Sequence, residues 1–402
     1  MSKDTKNVPF AGKNVLVLDC YAVQSLPMLR GFSRLGCVVT AVGMSRFDLG
    51  VVSRYTDRSI VIPIKAFREK EYITRLTEVL KERHYDLVIP MADSTARALS
   101  RNREELSRYA YIAVDGWDVV RRIDDKLPTM LACQENGIPC PKTYSVSDRL
   151  EDILESIDSY PVAVKPRIGC GGEGFRKIDS KEDLVRCYAA AVEKFGPMLV
   201  EEYIPQTGTQ FQCEVYVGRD RQVKSAIIYD KPRWYPVTGG SSCCNVTVDR
   251  PEQIADCVKL LEKLGWTGYA DLDLIEDPRD GSVRIMEINP RITGSVKIAF
   301  LAGIDFARQM LEDALGLPVT VYTDYRKNVV IRRFLVDCAW FVKSPRRFKT
   351  KPNWFSPFFH SQVFAWDDPL PTLAYLLKPL FRRLFKGSAK SGTRSDPLQP
   401  NT

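Results

Sequence analysis

Short apolar runs alternate with segments of helical periodicity over the first 115 residues. The run "KNVLVLD" at 13–19 centres on aliphatic residues, which is typical of a strand buried in a parallel sheet. A helical pattern of apolar residues follows as far as Gly36, and "CVVTAV" then predicts a second strand. Further strands at "SIVIP", "DLVIPM" and "AYIAVD" extend the series. The pattern predicts a doubly wound α/β domain over residues 1–115.

The pattern changes after this domain. A helix ends at Gly137, and an α+β segment follows, which predicts a second domain over residues 116–320. Residues 321–402 are predicted to form a basic C-terminal extension with an amphipathic helix and a disordered end. The turn after the first strand reads "DCYAVQS" and lacks the G-x-G-x-x-G fingerprint, so we expect no dinucleotide site there.

Composition is that of a globular protein. The chain has 402 residues, 45% apolar and 27% charged, enough for two or three domains with their own cores. It shows no cleavable signal sequence and no apolar run of about 18 residues, so we predict a cytoplasmic location. Eleven scattered cysteines and two histidines argue against a disulfide framework, a Cys/His zinc site and histidine acid–base chemistry.

Positive charge is concentrated at the C-terminus. Residues 321–402 hold 15 lysines and arginines against 5 aspartates and glutamates, whereas residues 1–320 hold 43 against 45. Aromatic residues accompany the basic ones, and leucines recur at helical spacing over residues 369–386. We favour a helix that packs on the protein's own core; the alternative is peripheral contact of 369–386 with the inner face of a membrane. No nucleic acid is expected as a partner, because no binding-fold signature accompanies the aromatics.

A lysine and a glycine-rich loop stand together in "VAVKPRIGCGGEGFRKI", residues 162–178. Lys165 lies on a β-branched strand, and four glycines follow within six residues: Gly169, Gly171, Gly172 and Gly174. Glycines let backbone N–H groups approach phosphate oxygens, and the lysine adds a positive charge. The order differs from that of a P-loop, since no G-K-[ST] is present. A phosphate-binding loop and a plain surface hairpin are both compatible with this stretch alone.

Acidic residues and an asparagine share one face of another segment. "GYADLDLIED" and "RIMEINPRITGS" predict two strands joined by the turn "PRDGS", which brings Asp273, Glu287 and Asn289 together. Three hard oxygen ligands suit Mg²⁺ together with substrate phosphates. Arg291 stands beside them as a charge-assisted donor. For Asp271 we favour a simpler interpretation, an outward-facing polar position of an amphipathic hairpin.

The order of these elements resembles that of the ATP-grasp superfamily. Lys126, Lys165 with its glycine loop, "EEYI" at 201–204, Asp273 and "EINPR" follow one another within residues 13–320. The chain is most similar to the branch of carbamoyl-phosphate synthetase and the ATP-dependent carboxylate–amine ligases. The resemblance implies a Rossmann-like pre-ATP-grasp domain, a two-lobed α+β ATP-grasp fold, and ATP with Mg²⁺ (or Mn²⁺) as cofactors. It also implies a homodimer, because relatives with this front domain often dimerise.

The resemblance implies roles for individual residues. Lys165 and Arg291 are the expected catalytic residues: Lys165 holds the phosphates of the nucleotide, and Arg291 steadies the transferred phosphoryl group and the acyl intermediate. Asp273, Glu287 and Asn289 are the expected magnesium ligands. The expected nucleotide contacts are Lys126, Lys165, Gly169, Gly171, Gly172, Gly174, Glu201, Glu202, Tyr203, Ile204 and Glu214. Glu214 is included because Gln210 stands where the family frequently has an acid for the ribose.

The stretch "DKPRWYPVTGGSSCCNVTV", residues 230–248, is expected to line the acceptor side of the site. Lys231 and Arg233 are candidates to bind a substrate carboxylate. Gly239, Gly240 and Ser241 would let a substrate approach the backbone. The alternative is an ordinary solvent-exposed hairpin.

The expected function is that of an ATP- and Mg²⁺-dependent ligase. A substrate carboxylate attacks the γ-phosphate and becomes an acyl phosphate, and an amine then displaces phosphate to form an amide-like bond. Small-molecule carboxylates and amines are the expected partners. Two alternatives stay open: carbamoyl-phosphate-type phosphorylation of bicarbonate or carbamate, and a non-catalytic ATP-binding regulatory protein.

Overall fold

A parallel five-stranded sheet forms the first part of the fold. The computed structural model describes residues 9–145, 147, 149–169, 172–237 and 240–385, with side chains up to residue 377. The strands, in the spatial order β3-β2-β1-β4-β5, are β1 (Asn14–Val17), β2 (Val38–Gly43), β3 (Arg58–Val61), β4 (Leu87–Ile89) and β5 (Tyr111–Ile112). The helices are α1 (Ser25–Arg34), α2 (Glu69–Glu82), α3 (Asp93–Arg101), α4 (Arg103–Leu106) and α5 (Trp117–Asp124).

The loops after β1 and β4 meet where the strand order reverses. Val15, Leu16 and Val17 are fully buried, as expected for a central strand of a parallel sheet. Asp19, just beyond β1, accepts hydrogen bonds from the backbone N–H groups of Met91 and Ala92, both at 3.1 Å. These bonds tie the two loops together at the carboxyl edge of the sheet, the edge at which open α/β sheets bind ligands.

A small antiparallel sheet and its covering helices form the second part. The elements are α6 (Lys126–Glu135), α7 (Leu150–Ser156), β6 (Val162–Pro166), β7 (Arg176–Ile178), α8 (Lys181–Phe195) and β8 (Met198–Glu202), with the strands in the order β7-β6-β8. The Ser180 hydroxyl caps α8 by accepting from the Asp183 N–H at 3.2 Å. The sheet and the two helices α7 and α8 enclose a hydrophobic cluster of their own.

A seven-stranded sheet forms the third part, in the order β13-β12-β9-β10-β11-β14-β15. Its strands are β9 (Gln210–Val217), β10 (Val223–Tyr235), β11 (Ser241–Thr247), β12 (Gly268–Glu276), β13 (Val283–Asn289), β14 (Val330–Arg332) and β15 (His360–Ser361). The helices are α9 (Pro251–Leu264), α10 (Lys297–Ala302), α11 (Phe306–Ala314), α12 (Phe334–Lys343) and α13 (Leu370–Phe385). One hydrophobic core is continuous between this sheet and the five-stranded sheet.

The basic segment after residue 320 takes part in this fold. Strand β14 pairs with β11, and β15 pairs with β14. Asp368 accepts hydrogen bonds from Arg30 of α1 at 2.9 and 3.1 Å, which anchors the segment to the first sheet. The end of the chain, which we predict to be disordered, lies outside the described residues.

Helix α13 lies within the predicted amphipathic segment 369–386. Ala374 and Tyr375 pack against a small hydrophobic cluster beside α1, while a row of leucines three residues apart is exposed: Leu370, Leu373 and Leu376. One face of the helix therefore packs on the protein and another remains open. Among the described helices, none is both long and apolar enough to cross a bilayer.

Candidate functional site

The antiparallel hairpin β12–β13 brings the predicted metal ligands together. Asp273 lies opposite Glu287 in the register, and Asp271 lies opposite Asn289. The Asn289 amide donates to Asp273 Oδ2 at 3.2 Å and to Asp271 Oδ2 at 3.4 Å. Within the described residues, no cluster of three or more His, Cys, Asp or Glu side chains forms a metal site by itself. The predicted set Asp273, Glu287 and Asn289 offers two carboxylates and one amide oxygen.

The prediction that Asp271 is an outward-facing polar residue is wrong. Its side chain is fully buried, not outward-facing: Asn289 and Glu214 lie opposite it on the two neighbouring strands, and Arg291 lies 3.8 Å from its Oδ2. Oδ2 accepts from Gln212 Nε2 at 2.7 Å, whereas Oδ1 has no hydrogen-bond partner. Burial, with the nearby Asp273, raises the pKa of Asp271 well above its usual value. A buried carboxylate oxygen without a donor is the environment that a bound divalent cation would satisfy.

Two lysines from different segments reach β13. Lys126 is the first residue of α6, behind the capping side chain of Asp125, and its Nζ lies 3.3 Å from Glu287 Oε2. The same ammonium donates to the carbonyl of Gly169 at 2.8 Å, so it also contacts the glycine loop. Lys165, on β6, points its Nζ toward the Met286 carbonyl at 3.5 Å.

Lys165 has a buried counter-charge. Its Nζ lies 2.6 Å from Glu201 Oε1, and Glu201 is almost fully buried on the neighbouring strand β8. Burial raises the pKa of Glu201, and Lys165 and Lys126 oppose that rise. Lys165 therefore engages Oε1 of Glu201, whereas the buried Oε2 has no hydrogen-bond partner.

Arg291 connects the hairpin to the first sheet. Its Nε donates to Asp93 Oδ1 at 3.1 Å, at the start of α3, and its guanidinium lies 3.8 Å from Asp271 Oδ2. Lys231 on β10 forms a short ion pair with Asp273. Four cations, Lys126, Lys165, Lys231 and Arg291, thus surround the acidic hairpin, an arrangement suited to binding a polyanion.

The remaining nucleotide contacts are distributed around this hairpin. Gly169, Gly172 and Gly174 all have positive φ, which favours glycine, while Gly171 lies outside the described residues. Glu202 accepts from Arg279 at 2.5 Å and from Arg284 at 2.6 Å. Tyr203 lies under the Lys177 ammonium, and Ile204 is buried.

Two predicted contacts are wrong because the side chains are enclosed by the sheet. Glu214, on β9, is fully buried; it accepts a hydrogen bond from Tyr229 at 2.8 Å, and burial raises its pKa to about 8. It has no access to a ribose. Arg233 is also fully buried and pairs with Asp337 at 2.7 Å, so it cannot reach a substrate carboxylate.

The other acceptor-side residues have mixed outcomes. Gly240 packs so closely on Tyr235 that an added Cβ would lie 2.4 Å from its backbone carbonyl. Ser241 is exposed at the start of β11. Gly239 lies outside the described residues. Lys231 is the one member of this group with a contact in the hairpin site that the structure describes.

Comparison with known proteins agrees with this geometry. Residues 123–295 match the family model described as the ATP-grasp domain. This part of the chain is therefore similar to an ATP-grasp domain. The match spans the α6 lysine, the glycine loop, β8 and the whole acidic hairpin. This match agrees with the predicted superfamily.

Two of the similar proteins are a carboxylate–amine ligase and a carbamoyl phosphate synthase. D-aspartate ligase of Enterococcus faecium is 29% identical over 304 residues, which cover 69% of this chain and 71% of the relative. The C-terminal section of the carbamoyl phosphate synthase large chain of Methanopyrus kandleri is 26% identical; the match covers 62% of this chain and 45% of that relative.

A solved structure shares the fold. The biotin carboxylase domain dimer of Hydrogenobacter thermophilus 2-oxoglutarate carboxylase, in complex with MgADP and bicarbonate, superposes with a TM-score of 0.64. The sequence identity is 19%, and the match covers 79% of this chain and 73% of that one. At this identity the likeness concerns the fold alone.

Proposed function

We propose that the chain is an ATP- and Mg²⁺-dependent ligase that activates a carboxylate as an acyl phosphate and joins it to an amine, with release of ADP and phosphate. One observation carries the proposal. Lys126 from α6 and Lys165 from β6 converge on β13, where Glu287 lies opposite Asp273 and the Asn289 amide donates to Asp273. Phosphoryl transfer depends on such positioning and charge neutralisation more than on a protein nucleophile.

The hairpin fits a magnesium-bound polyphosphate. Asp273, Glu287 and Asn289 would hold Mg²⁺, with Mn²⁺ as the alternative. The metal would neutralise phosphate charge. Release of Asp273 from Lys231 on metal binding would free that ammonium for the substrate side.

The glycine loop and the two lysines would hold the polyphosphate. Lys126 already contacts the Gly169 carbonyl, so an anion between the lysine and the loop would gain both the charge and the N–H groups of the loop. The segment of Glu201, Glu202, Tyr203 and Ile204 is proposed to contact adenine through its backbone. A loop closed over the phosphates would also exclude water from the acyl phosphate.

Arg291 is proposed to steady the transferred phosphoryl group. It is held by Asp93 from the first sheet, so it lies between the two sheets and beside the metal ligands. Lys231 and Ser241 are proposed for the substrate side. The 29% identity to D-aspartate ligase favours a carboxylate and an amine of small-molecule size as the substrates.

Further parts of the proposal rest on sequence. The division into residues 1–115, 116–320 and 321–402 is the proposed domain organisation, with a Rossmann-like first domain. A homodimer and a cytoplasmic location are proposed as well; the dimeric state of one fold neighbour supports the first of these.

ADP release by the purified chain tests the function. Mg-ATP is supplied with a panel of carboxylates and amines, alone and in pairs. We expect ADP release that needs both substrates and falls at least about 100-fold in Glu287→Ala, because that substitution removes an oxygen ligand and the partner of Lys126. Glu104→Ala, an exposed residue of α4, is the matched control and should keep full activity.

Other results would point to the alternatives. ADP release with bicarbonate or carbamate and no carboxylate–amine pair would favour carbamoyl-phosphate-type chemistry, which the similarity to carbamoyl phosphate synthase keeps open. Tight ATP binding without ADP release from any pair would favour a non-catalytic regulatory protein.

A further inference from the structure

Exposed aromatic rings cluster on the C-terminal segment, away from the acidic hairpin in sequence. Phe348 is 68% exposed and Phe355 is 65% exposed. Both rings contact Phe341, with centroids 5.6 and 5.5 Å away, and Trp354 packs on the same ring at 4.5 Å with the two planes tilted by 35°. These rings, with the exposed Phe334 beside Trp354, form one contiguous patch.

Buried ion pairs and hydrogen bonds hold the segment that carries this patch. Asp337, fully buried, pairs with Arg233 at 2.7 Å and with Arg332 at 2.6 Å. Arg332 also donates to the Trp354 carbonyl at 2.9 Å, and the Trp354 indole donates to the Asp337 carbonyl at 3.2 Å. Because buried hydrogen bonds position the segment, the exposed rings are a fixed feature of the surface.

The charge of this surface has one sign. Residues 338–366 contain five lysines and arginines and no aspartate or glutamate. Four of the five basic side chains are exposed: Lys343, Arg346, Lys349 and Lys351. The nearest preceding acid is the buried Asp337, which two arginines already neutralise. We call the patch with these basic residues the aromatic–basic surface.

An anionic lipid bilayer matches both the exposed aromatic rings and the positive charge of the aromatic–basic surface. Protein–protein interfaces are depleted of lysine at their core, whereas aromatic rings interleaved with lysine and arginine are typical of segments that lie in the headgroup region. A surface potential of negative sign attracts each nearby basic residue. We propose that the aromatic–basic surface docks the protein onto the face of a membrane that contains anionic phospholipid. The exposed leucine row of α13 lies on the same C-terminal segment and adds apolar area.

Vesicle sedimentation with the full chain tests the proposal. Vesicles of phosphatidylcholine with one part in three of phosphatidylglycerol are compared with pure phosphatidylcholine. We expect binding to the anionic vesicles that weakens at least tenfold in the double variant Phe348→Ser with Phe355→Ser. The double variant Phe47→Ser with Phe67→Ser is the matched control, since those rings are 66% and 71% exposed in the first sheet's part of the chain.

A variant that removes basic side chains but keeps the aromatic rings distinguishes lipid docking from loss of ring packing in the Phe348/Phe355 variant. Lys343→Ala with Lys349→Ala leaves the rings in place and should weaken anionic binding about fivefold per charge, with a smaller effect at high salt. Lys70→Ala with Lys263→Ala, both exposed elsewhere, should change nothing. Melting curves of all variants establish that they fold.

Three results would overturn the proposal. The first is equal binding to both vesicle types, or none to either. The second is tighter binding to a single-stranded oligonucleotide than to anionic vesicles, lost in the same variants, which would make the surface a nucleic-acid site. The third is a dimer in sedimentation velocity that becomes a monomer in the Phe348/Phe355 variant, which would make it a subunit interface. None of these depends on ligase activity.

Discussion

Replacing Arg233 distinguishes a structural arginine from a substrate-binding one. The side chain is fully buried and donates to Asp337 at 2.7 and 3.2 Å and to the Pro352 carbonyl at 2.7 Å. Removing one partner of a buried ion pair costs about 3–5 kcal/mol. Arg332 still pairs with Asp337 after Arg233→Met, so we expect the lower end, about 3 kcal/mol. Asp337→Asn removes the carboxylate that pairs with two buried guanidiniums, so we expect about 5 kcal/mol.

Thermal melting followed by circular dichroism measures the effect. At roughly 2–4 °C per kcal/mol for domains of this size, Arg233→Met should lower the melting temperature by about 6–12 °C and Asp337→Asn by about 10–20 °C. Arg108→Ala, an exposed arginine without a described ion pair, is the control and should shift it by less than about 2 °C.

The substrate KM provides the opposing measurement. If the buried pair has only a structural role, the KM for the carboxylate at a temperature where Arg233→Met is folded should equal that of the wild type. A large rise in that KM with an unchanged melting temperature would refute the reasoning and restore Arg233 as a substrate ligand.

Three further predictions address the nucleotide loop, the phosphate lysine and the first sheet. Lys165→Ala should reduce ADP release, measured by steady-state kinetics, at least about 100-fold. The substitution removes a cation from the site and leaves the buried Glu201 carboxylate without its ion-pair partner, whereas replacement of the exposed Lys181 by Ala should leave ADP release unchanged. Gly174→Ala should weaken ATP binding measured by calorimetry, because φ is +76° and the new Cβ would lie 2.7 Å from Pro166, and unchanged affinity would contradict a strained loop. Burial raises the pKa of Asp19 to about 6, so the folded state binds more protons than the unfolded state between about pH 4 and 6, and stability falls as pH rises through that range. Relative to Asp19→Asn, the wild type should lose roughly 3 kcal/mol over this interval in urea titrations; parallel pH profiles would show that Asp19 does not titrate there.

The sequence by itself determined the order of the chemical groups. Lys165, Glu287 and Asn289 were identifiable because each stands in a short local pattern: a lysine before glycines, and an acid two residues before an asparagine on one strand. Lys126 was identified only through the resemblance to the ATP-grasp superfamily. Alternation along a strand sets which residues share a face, and it needs no tertiary information. The prediction that Asp273, Glu287 and Asn289 meet rests on that rule, and the cross-strand register brings them together.

Only the tertiary structure decided which faces are covered. Glu214 and Arg233 are residue types that often bind substrates, yet both side chains are fully buried. Glu214 accepts a hydrogen bond from Tyr229, and Arg233 pairs with Asp337. Asp271 is the reverse case: an outward-facing side chain is expected from the sequence, but the side chain is buried, with Oδ1 lacking a hydrogen-bond partner and Oδ2 lying 3.8 Å from Arg291. Burial depends on the order β13-β12-β9-β10-β11, which pairs segments far apart in the chain, and no local pattern encodes that order.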